Sequence, residues 1–222
     1  MNNFAYKFRI YPNKEQRNFI NKNIGACRFI YNLLLDRRLV IYEKAKSLPE
    51  ERRKKIIYPS YARYREKYLW IKEVDSNGLA FEQRHLMQAF NNWYRAIRSN
   101  NITKAGECKP KFKSRSKKKS YTTAGVSTVI VDDKHIKIAK LKAPIKAVIH
   151  REVKGRIVSA TISRTSSNKY YISLICEDEI ERKILNKSNS IISINLGLRQ
   201  YITFLKSNNE TGKLENPKIL KK

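Results

Sequence analysis

The sequence predicts an α+β protein in which one strand is followed by helices and then by a series of strands. Residues 4–11 alternate apolar and polar side chains, which predicts a strand ending before Pro12. Helical spacing follows at Ile20, Ile24, Cys27, Tyr31 and Leu34. From Thr122 onward, alternating segments separated by short polar turns predict hairpins. The 222 residues have room for one large or two small domains, and the strands together could close a small barrel.

Capping signals place the helices. Asn13 and Gln16 have the spacing of a capping box, so we expect the first long helix to begin there and to run to about residue 46. A charged, partly helical connector over 48–55 and a short helix over 60–67 come next. Ser76 is the expected cap of a second long helix. The predicted apolar stripe of that helix is Leu79, Leu86, Phe90, Trp93 and Ile97.

Three hairpins are predicted in the second half of the chain. Residues 127–131 and 135–138 flank one polar turn, and residues 157–164 and 169–177 flank another. Nearer the end, Ile192 and Ile194 indicate a short buried strand. Gly197 then permits a tight turn into a strand over 201–205.

The charge of the chain indicates a polyanionic partner. It has 48 Lys and Arg against 19 Asp and Glu, a formal net charge of +29 and a pI near 10.1. Such an excess repels itself in a compact state unless phosphates neutralise it. A ribosomal-type or membrane-surface protein is the alternative. However, no apolar run approaches the roughly 18–20 residues that span a bilayer, and no signal-peptide core is seen, so we expect no membrane partner.

Three cysteines, Cys27, Cys108 and Cys176, are scattered along the chain. Their number and spacing argue against a disulfide framework and against a zinc ribbon within these residues, and they favour a reducing cytosol.

Residues 104–119 carry eight basic groups and one acidic group. Pro110 and the lack of periodicity predict an extended loop. Phe112 and Tyr121 lie among these cations, as expected where rings stack on bases while lysines contact phosphates. A disordered basic linker is an equally weighted alternative.

Seven blocks, in this order, resemble TnpB, the OrfB protein of insertion sequences. They are 6–13 (YKFRIYPN), 25–32 (GACRFIYN), 70–76 (WIKEVDS), 109–115 (KPKFKSR), 120–123 (SYTT), 150–152 (HRE) and 194–198 (INLGL). Together they cover essentially the whole chain, so the resemblance is specific although each block alone would be weak.

The resemblance implies an RNA-guided DNA endonuclease of the cytoplasm and nucleoid. Its partners would be a transposon-end guide RNA and duplex DNA, with no small-molecule substrate. It implies a β-barrel wedge domain split by a helical recognition lobe, followed by a RuvC nuclease domain with a zinc ribbon. On this basis residues 1–12 are the first wedge strand, 13–103 the recognition lobe, 104–186 the basic loop and the rest of the wedge, and 187–222 the start of the RuvC domain.

The same resemblance assigns nucleic-acid contacts to particular residues. Phosphate contacts are expected from Arg9, Arg28, Lys109, Lys111, Lys113 and Arg115. Phe112 and Tyr121 would stack or pack beside the duplex, with Thr123 in the same block as Tyr121. Arg151 and Arg164 would lie on the guide-RNA face of the wedge. Ser76, Gln83 and Arg84 would approach the target-adjacent motif, where Ala80 stands in place of the family's glutamine.

Asn195 departs from the family pattern. It stands where the resemblance places the first RuvC aspartate, and its neutral carbonyl oxygen is a poorer Mg²⁺ ligand than a carboxylate. The later Glu and Asp and the Zn²⁺ ribbon do not occur in these 222 residues. The resulting expectation is a protein with no intact catalytic residue, no Mg²⁺ or Zn²⁺ cofactor and no nuclease activity.

Four functional interpretations stay open. A guide-directed DNA binder and a non-functional transposon remnant have equal weight. A nuclease completed by a separately encoded half is disfavoured by Asn195. A basic RNA-binding protein without specificity is the remaining class, and salt titration separates it from a guided binder.

Overall fold

The computed structural model describes residues 2–99, 106–117, 119–178 and 190–216. The chain divides into two compact units, Met1–Ile180 and Glu181–Lys222. Among the described residues, none of the helices is both long enough and apolar enough to cross a membrane.

The first unit opens with one strand and four helices. They are β1 (Asn2–Tyr11), α1 (Lys14–Ala45), α2 (Glu50–Lys54), α3 (Tyr61–Lys67) and α4 (Ser76–Arg98), with a 3₁₀ turn at Leu69–Glu73 before α4. The capping box is confirmed: Asn13 Oδ1 accepts from the Gln16 amide at 2.8 Å, and Gln16 Oε1 accepts from the Asn13 amide at 2.9 Å. The predicted end of α1 is confirmed as well.

The two ends of α4 each correct one prediction. Its N-cap is Asp75 rather than Ser76, because Asp75 Oδ1 accepts from the Asn77 amide at 3.0 Å. Both residue types cap helices, so the sequence alone did not separate two adjacent candidates. The apolar stripe ends at the buried Ala96, while Ile97 is 44% exposed.

Six further strands form one antiparallel sheet with β1, whose direct neighbours are β5 and β7. The six strands are β2 (Ser120–Ala124), β3 (Thr128–Asp132), β4 (His135–Ile138), β5 (Ile145–Val148), β6 (Arg156–Arg164) and β7 (Tyr170–Asp178). The spatial order is β2-β6-β7-β1-β5-β4-β3. The hairpins predicted around 132–134 and 166–168 are therefore confirmed.

The two edge strands show that this sheet is curled. β2 and β3 lie at opposite edges, yet only the three residues Gly125–Ser127 separate them in the chain. The four residue steps from the end of β2 to the start of β3 span at most about 14 Å, and the two edges of the sheet must therefore lie close together. The helices lie in sequence between the central strand β1 and the edge strand β2. The coarse prediction of a mixed α and β chain, with helices inserted between strands, is confirmed.

The core fills the concave face of the sheet. Alternate residues of each strand are buried there, among them Phe8, Ile10, Ile136, Ile145, Ile162, Ile172 and Leu174. A register shift in β6 between Ile157 and Ser159 leaves Val158 42% exposed, although simple alternation predicts it inside with Ala160.

Polar contacts join the helices to the sheet. Thr123 on β2 donates to the carboxylate of Asp75, which is buried, and the Asp75 amide donates to Asn23 Oδ1 at 2.8 Å. Gln16 Nε2 donates to the carbonyls of Ala143 and Pro144 at 3.2 and 3.1 Å. The helical region is therefore fixed on the sheet by hydrogen-bonded groups as well as by apolar packing.

The second unit contains a three-stranded antiparallel sheet. Its strands are β8 (Ile192–Leu196), β9 (Gln200–Lys206) and β10 (Thr211–Glu215), in the order β10-β9-β8. The turn after Gly197 is confirmed, whereas β10 was not predicted. The prediction of a buried β8 was wrong: Ile192 and Ile194 are 51% and 58% exposed. A lone sheet buries a face only when a second layer covers it, and residues 190–216 form no such layer.

Candidate nucleic-acid interface

Residues 106–117, hereafter the basic segment, are fixed to helix α1. The Lys113 amide donates to Asn32 Oδ1 at 2.8 Å, and Asn32 Nδ2 donates to the Lys113 carbonyl at 3.0 Å. One side-chain amide thus satisfies both backbone groups of Lys113, as a neighbouring strand would. Pro110 is also buried. The disordered-linker alternative does not describe this segment.

The side chain of Lys113 fixes the segment a second time. Its Nζ lies 2.6 Å from Glu82 Oε2 on α4 and 3.7 Å from the centre of the Tyr31 ring. Glu82 has no exposed side-chain surface, so the ammonium neutralises a buried carboxylate. Burial, and then the negative charge of Glu82, raise the pKa of Tyr31, which keeps this phenol neutral. Lys113 is therefore a structural cation here, which corrects its predicted role as a phosphate contact.

The other charged residues of the basic segment face outward. Lys109, Lys111 and Arg115 are exposed, and Phe112 between them is 57% exposed. An exposed ring beside exposed cations offers stacking and phosphate contacts together. These four predicted residues are available for nucleic acid.

Two predicted contact residues lie in the core instead. Tyr121 is fully buried on the concave face of β2, next to Gly78. Thr123 is also fully buried and donates to Asp75. The prediction that Tyr121 and Thr123 contact nucleic acid is corrected, because residues 121 and 123 share the inward face of their strand.

Several other predicted residues have partners within the protein. Gln83 Oε1 accepts from the Tyr61 amide at 2.8 Å at the start of α3. Arg164 donates to Asn21 Oδ1 at 3.0 Å. Arg151 donates to the Ala5 carbonyl at 3.0 Å. These three residues connect elements of the fold, and Arg151 also remains exposed.

The remaining predicted cations lie on different elements. Arg9 is exposed on β1, and Arg84 is exposed on α4 with its guanidinium 4.1 Å from the Phe81 ring centre. Arg28 on α1 and Ser76 at the start of α4 are half-buried. The predicted set is therefore spread over the first unit, and only the basic segment brings several of its members together along the chain.

Asn195 lies exposed on β8, paired with Thr203 of β9. Among the described residues, no three His, Cys, Asp or Glu side chains gather as a metal site would require. Within residues 190–216, the neutral Asn195 amide does not by itself fit a Mg²⁺ centre, which prefers several anionic oxygen ligands. The cofactor expectation stays a prediction.

Comparison with known proteins supplies the wider context. Residues 1–47 match the OrfB_IS605 helix-turn-helix domain family. In this structure, that stretch contains β1 and the single helix α1. A "Putative RNA-guided DNA endonuclease" of Streptomyces pristinaespiralis is 27% identical over 221 residues, which is 96% of this chain and 50% of the relative. The "Putative RNA-guided DNA endonuclease InsQ" of Escherichia coli (strain K12) is 24% identical over 205 residues, or 90% of this chain and 46% of the relative.

These matches support the identification of the chain as a TnpB/OrfB family protein. The expectation that the protein is not an enzyme is corrected, because both relatives are named as RNA-guided DNA endonucleases and such names imply a family of enzymes. The chain spans about half the length of the curated relatives it matches. Carboxylates missing from its 222 residues are therefore no argument against an enzyme.

Residues that position the interface were missed by the sequence analysis of this TnpB/OrfB chain. Asn32 and Glu82 lie 81 and 31 residues from Lys113, and no local pattern connects such positions. A signal did exist for Lys7 and Tyr11, because the alternation of β1 places them on the same outward face as Arg9.

Proposed function

We propose that this chain binds guide RNA and duplex DNA as part of an RNA-guided DNA endonuclease system. The observation that carries the proposal is the fixed basic segment. Asn32 and Glu82 hold its backbone and its inward cation, while Lys109, Lys111 and Arg115 face outward beside Phe112.

Prior fixing of the segment favours binding. A flexible cationic linker loses conformational freedom when it docks on phosphates, and this loss reduces the affinity. A segment that is already held by a bidentate amide and a buried ion pair avoids most of that loss. Its outward cations then release counterions from the phosphates, which gives binding with a steep dependence on salt.

The family relationship supports a finer assignment of the two units. We infer that the curled sheet is the wedge barrel, that the helices between β1 and β2 are the recognition lobe, and that β8–β10 open the nuclease domain. The position of β1 between β5 and β7 supports the first two assignments, because an inserted lobe leaves its flanking strands in one sheet.

The test is to express the chain together with its flanking genomic DNA and to sequence the RNA that co-purifies. One dominant RNA ending in a defined guide segment is the expected result. A mixture of abundant cellular RNA would contradict guided binding and would favour the second candidate, a basic RNA-binding protein without specificity. The net charge of +29 is the observation that supports this candidate.

A salt titration tests the part that the basic segment plays under either candidate. Replacing Lys109, Lys111 and Arg115 by Gln removes up to three phosphate contacts, so the slope of log K against log salt should fall by about 2–3. Lys213→Gln, on β10 in the second unit, is a control outside the basic segment. An unchanged slope in the triple variant would remove the basic segment from the interface.

A further inference from the structure

The convex face of the sheet carries a second cation and aromatic surface. It consists of Lys7, Arg9 and Tyr11 on β1, Lys146 on β5 and Tyr171 on β7 and is called the strand surface below. In the sheet register, Arg9 lies opposite Tyr171, and Tyr11 lies opposite Lys146. The five side chains are therefore neighbours across three strands.

Two cation–π pairs organise the strand surface. The Arg9 guanidinium lies 5.0 Å from the centre of the Tyr11 ring, and Lys7 Nζ lies 5.1 Å from the centre of the Tyr171 ring. Tyr11 is 45% exposed. Each cation is held beside a ring, so the rings and the charges are presented at fixed positions.

A depression of about 300 Å³ adjoins this surface at one end of β1. Its lining includes Arg9, Tyr11, Arg17 and Lys169, and no Asp or Glu is among the lining residues. Within the described part of the chain, none of Lys7, Arg9, Arg17 and Lys169 takes part in an ion pair. No carboxylate of the described residues therefore pairs with these four cations.

We propose that the strand surface and this depression bind an unpaired nucleic-acid strand, with a phosphate beside Arg9, Arg17 and Lys169 and a base on Tyr11 or Tyr171. The inference rests on the proposed function and adds a second contact region with a preference for single strands. A duplex offers this surface only phosphates, because its bases are stacked on each other. An unpaired strand offers phosphates and free base faces together, and base–aromatic stacking does not depend on the sequence.

The test uses the full chain and compares a short labelled oligouridine, the corresponding oligothymidine and a duplex at one salt concentration. Tyr11→Leu combined with Tyr171→Leu removes both rings and no charge. The affinity for a single strand should fall about tenfold or more, and the affinity for the duplex should change by less than about twofold. A larger loss for oligouridine identifies RNA as the ligand, and a larger loss for oligothymidine identifies DNA.

Control variants separate lost stacking from lost folding. Tyr201→Leu removes a comparably exposed ring from β9 and should leave all three affinities unchanged. Tyr11→Trp and Tyr171→Trp keep aromatic faces and should restore single-strand binding. Equal losses for duplex and single strands, or no loss for either, would overturn the preference for single strands. Failure of the wild-type chain to bind any of the three would instead refute the proposed function.

Discussion

Lys113 and Glu82 form a buried ion pair that joins the basic segment to helix α4. The Nζ to Oε2 distance is 2.6 Å, and the side chain of Lys113 is 25% exposed while that of Glu82 has no exposed surface. The pair explains how a segment rich in like charges can lie against the protein. One cation is turned inward to a carboxylate, and the others stay in water.

Lys113→Met should destabilise the first unit strongly. The variant removes the Lys113 ammonium from the buried Glu82 carboxylate, whose Oε1 also lies 3.6 Å from His85 Nδ1, and breaking a buried pair in this way costs about 3–5 kcal/mol. The free energy of unfolding in urea measures the effect. Adding Glu82→Gln removes the uncompensated charge and should recover much of the lost stability.

Lys117→Met, at an exposed position of the same segment, is the matched control. An equal effect of Lys113→Met and Lys117→Met would show that the Lys113–Glu82 pair is not structural.

Asn32→Ala should weaken nucleic-acid binding without changing the net charge. The substitution leaves the Lys113 amide and carbonyl without their partner, which costs about 1–3 kcal/mol of stability and frees the basic segment. Affinity for duplex DNA should then fall about three- to tenfold, or about 0.7–1.4 kcal/mol. Fluorescence anisotropy at constant salt is the measurement. Asn92→Ala removes an exposed amide from α4 and should have no effect. Wild-type affinity in Asn32→Ala would mean that fixing the segment does not contribute to binding.

Local sequence signals were sufficient to predict most helices and hairpins of the first unit. The capping box at Asn13 and Gln16 is satisfied by groups three residues apart, so its pattern appears directly in the sequence. The hairpin at 166–168 is also local, since Asn168 adopts the left-handed conformation that asparagine tolerates in turns. The exposed cations of the basic segment were predicted because charge alone keeps such groups in water.

Contacts between distant parts of the chain were not predictable in the same way. Tyr121 follows a run of lysines, which suggested a surface ring, yet strand alternation turns it toward Gly78 in the core. Ile192 and Ile194 have the pattern of a buried strand, but a pattern shows what can be covered and does not supply the covering layer. Arg164 donates to Asn21, 143 residues away, and no local pattern indicated this contact, while its predicted contact with nucleic acid stays a prediction.

Tyr121→Phe should reduce the loss of stability at alkaline pH. Burial, followed by the charge of Asp75, raises the pKa of Tyr121 far above the usual value near 10. In the unfolded chain the phenol ionises near pH 10, so the unfolded state then binds fewer protons than the folded state. The stabilising contribution is complete below pH 10 and is lost as the pH rises above it, at about 1.4 kcal/mol per pH unit.

The comparison requires unfolding free energies at neutral pH and at several values above pH 10. At neutral pH the phenylalanine variant should be within about 1 kcal/mol of wild type, because the Tyr121 hydroxyl has no hydrogen-bond partner among the described residues. Above pH 10 its curve should be shallower. The exposed Tyr201 provides the control: Tyr201→Phe should leave the slope unchanged. Parallel curves for wild type and Tyr121→Phe would mean that Tyr121 ionises as readily folded as unfolded.

Gly125→Ala should prevent the sheet from closing in its present form. Gly125 begins the short turn between edge strands β2 and β3, and a Cβ atom there would lie 1.7 Å from the backbone oxygen of Ile157. Backbone cannot give way as a flexible side chain can, so β6 or the turn must move. A loss above about 4 kcal/mol, or failure to fold, is expected, which is the exceptional end of single substitutions.

Gly25 in the middle of α1 is the matched control, since nothing lies within 4 Å of the Cβ it would gain. Gly25→Ala should stabilise the protein by up to about 1 kcal/mol through helix propensity. Thermal unfolding of the two variants should therefore shift in opposite directions, and a shift of the same sign would contradict the close approach of the turn to β6.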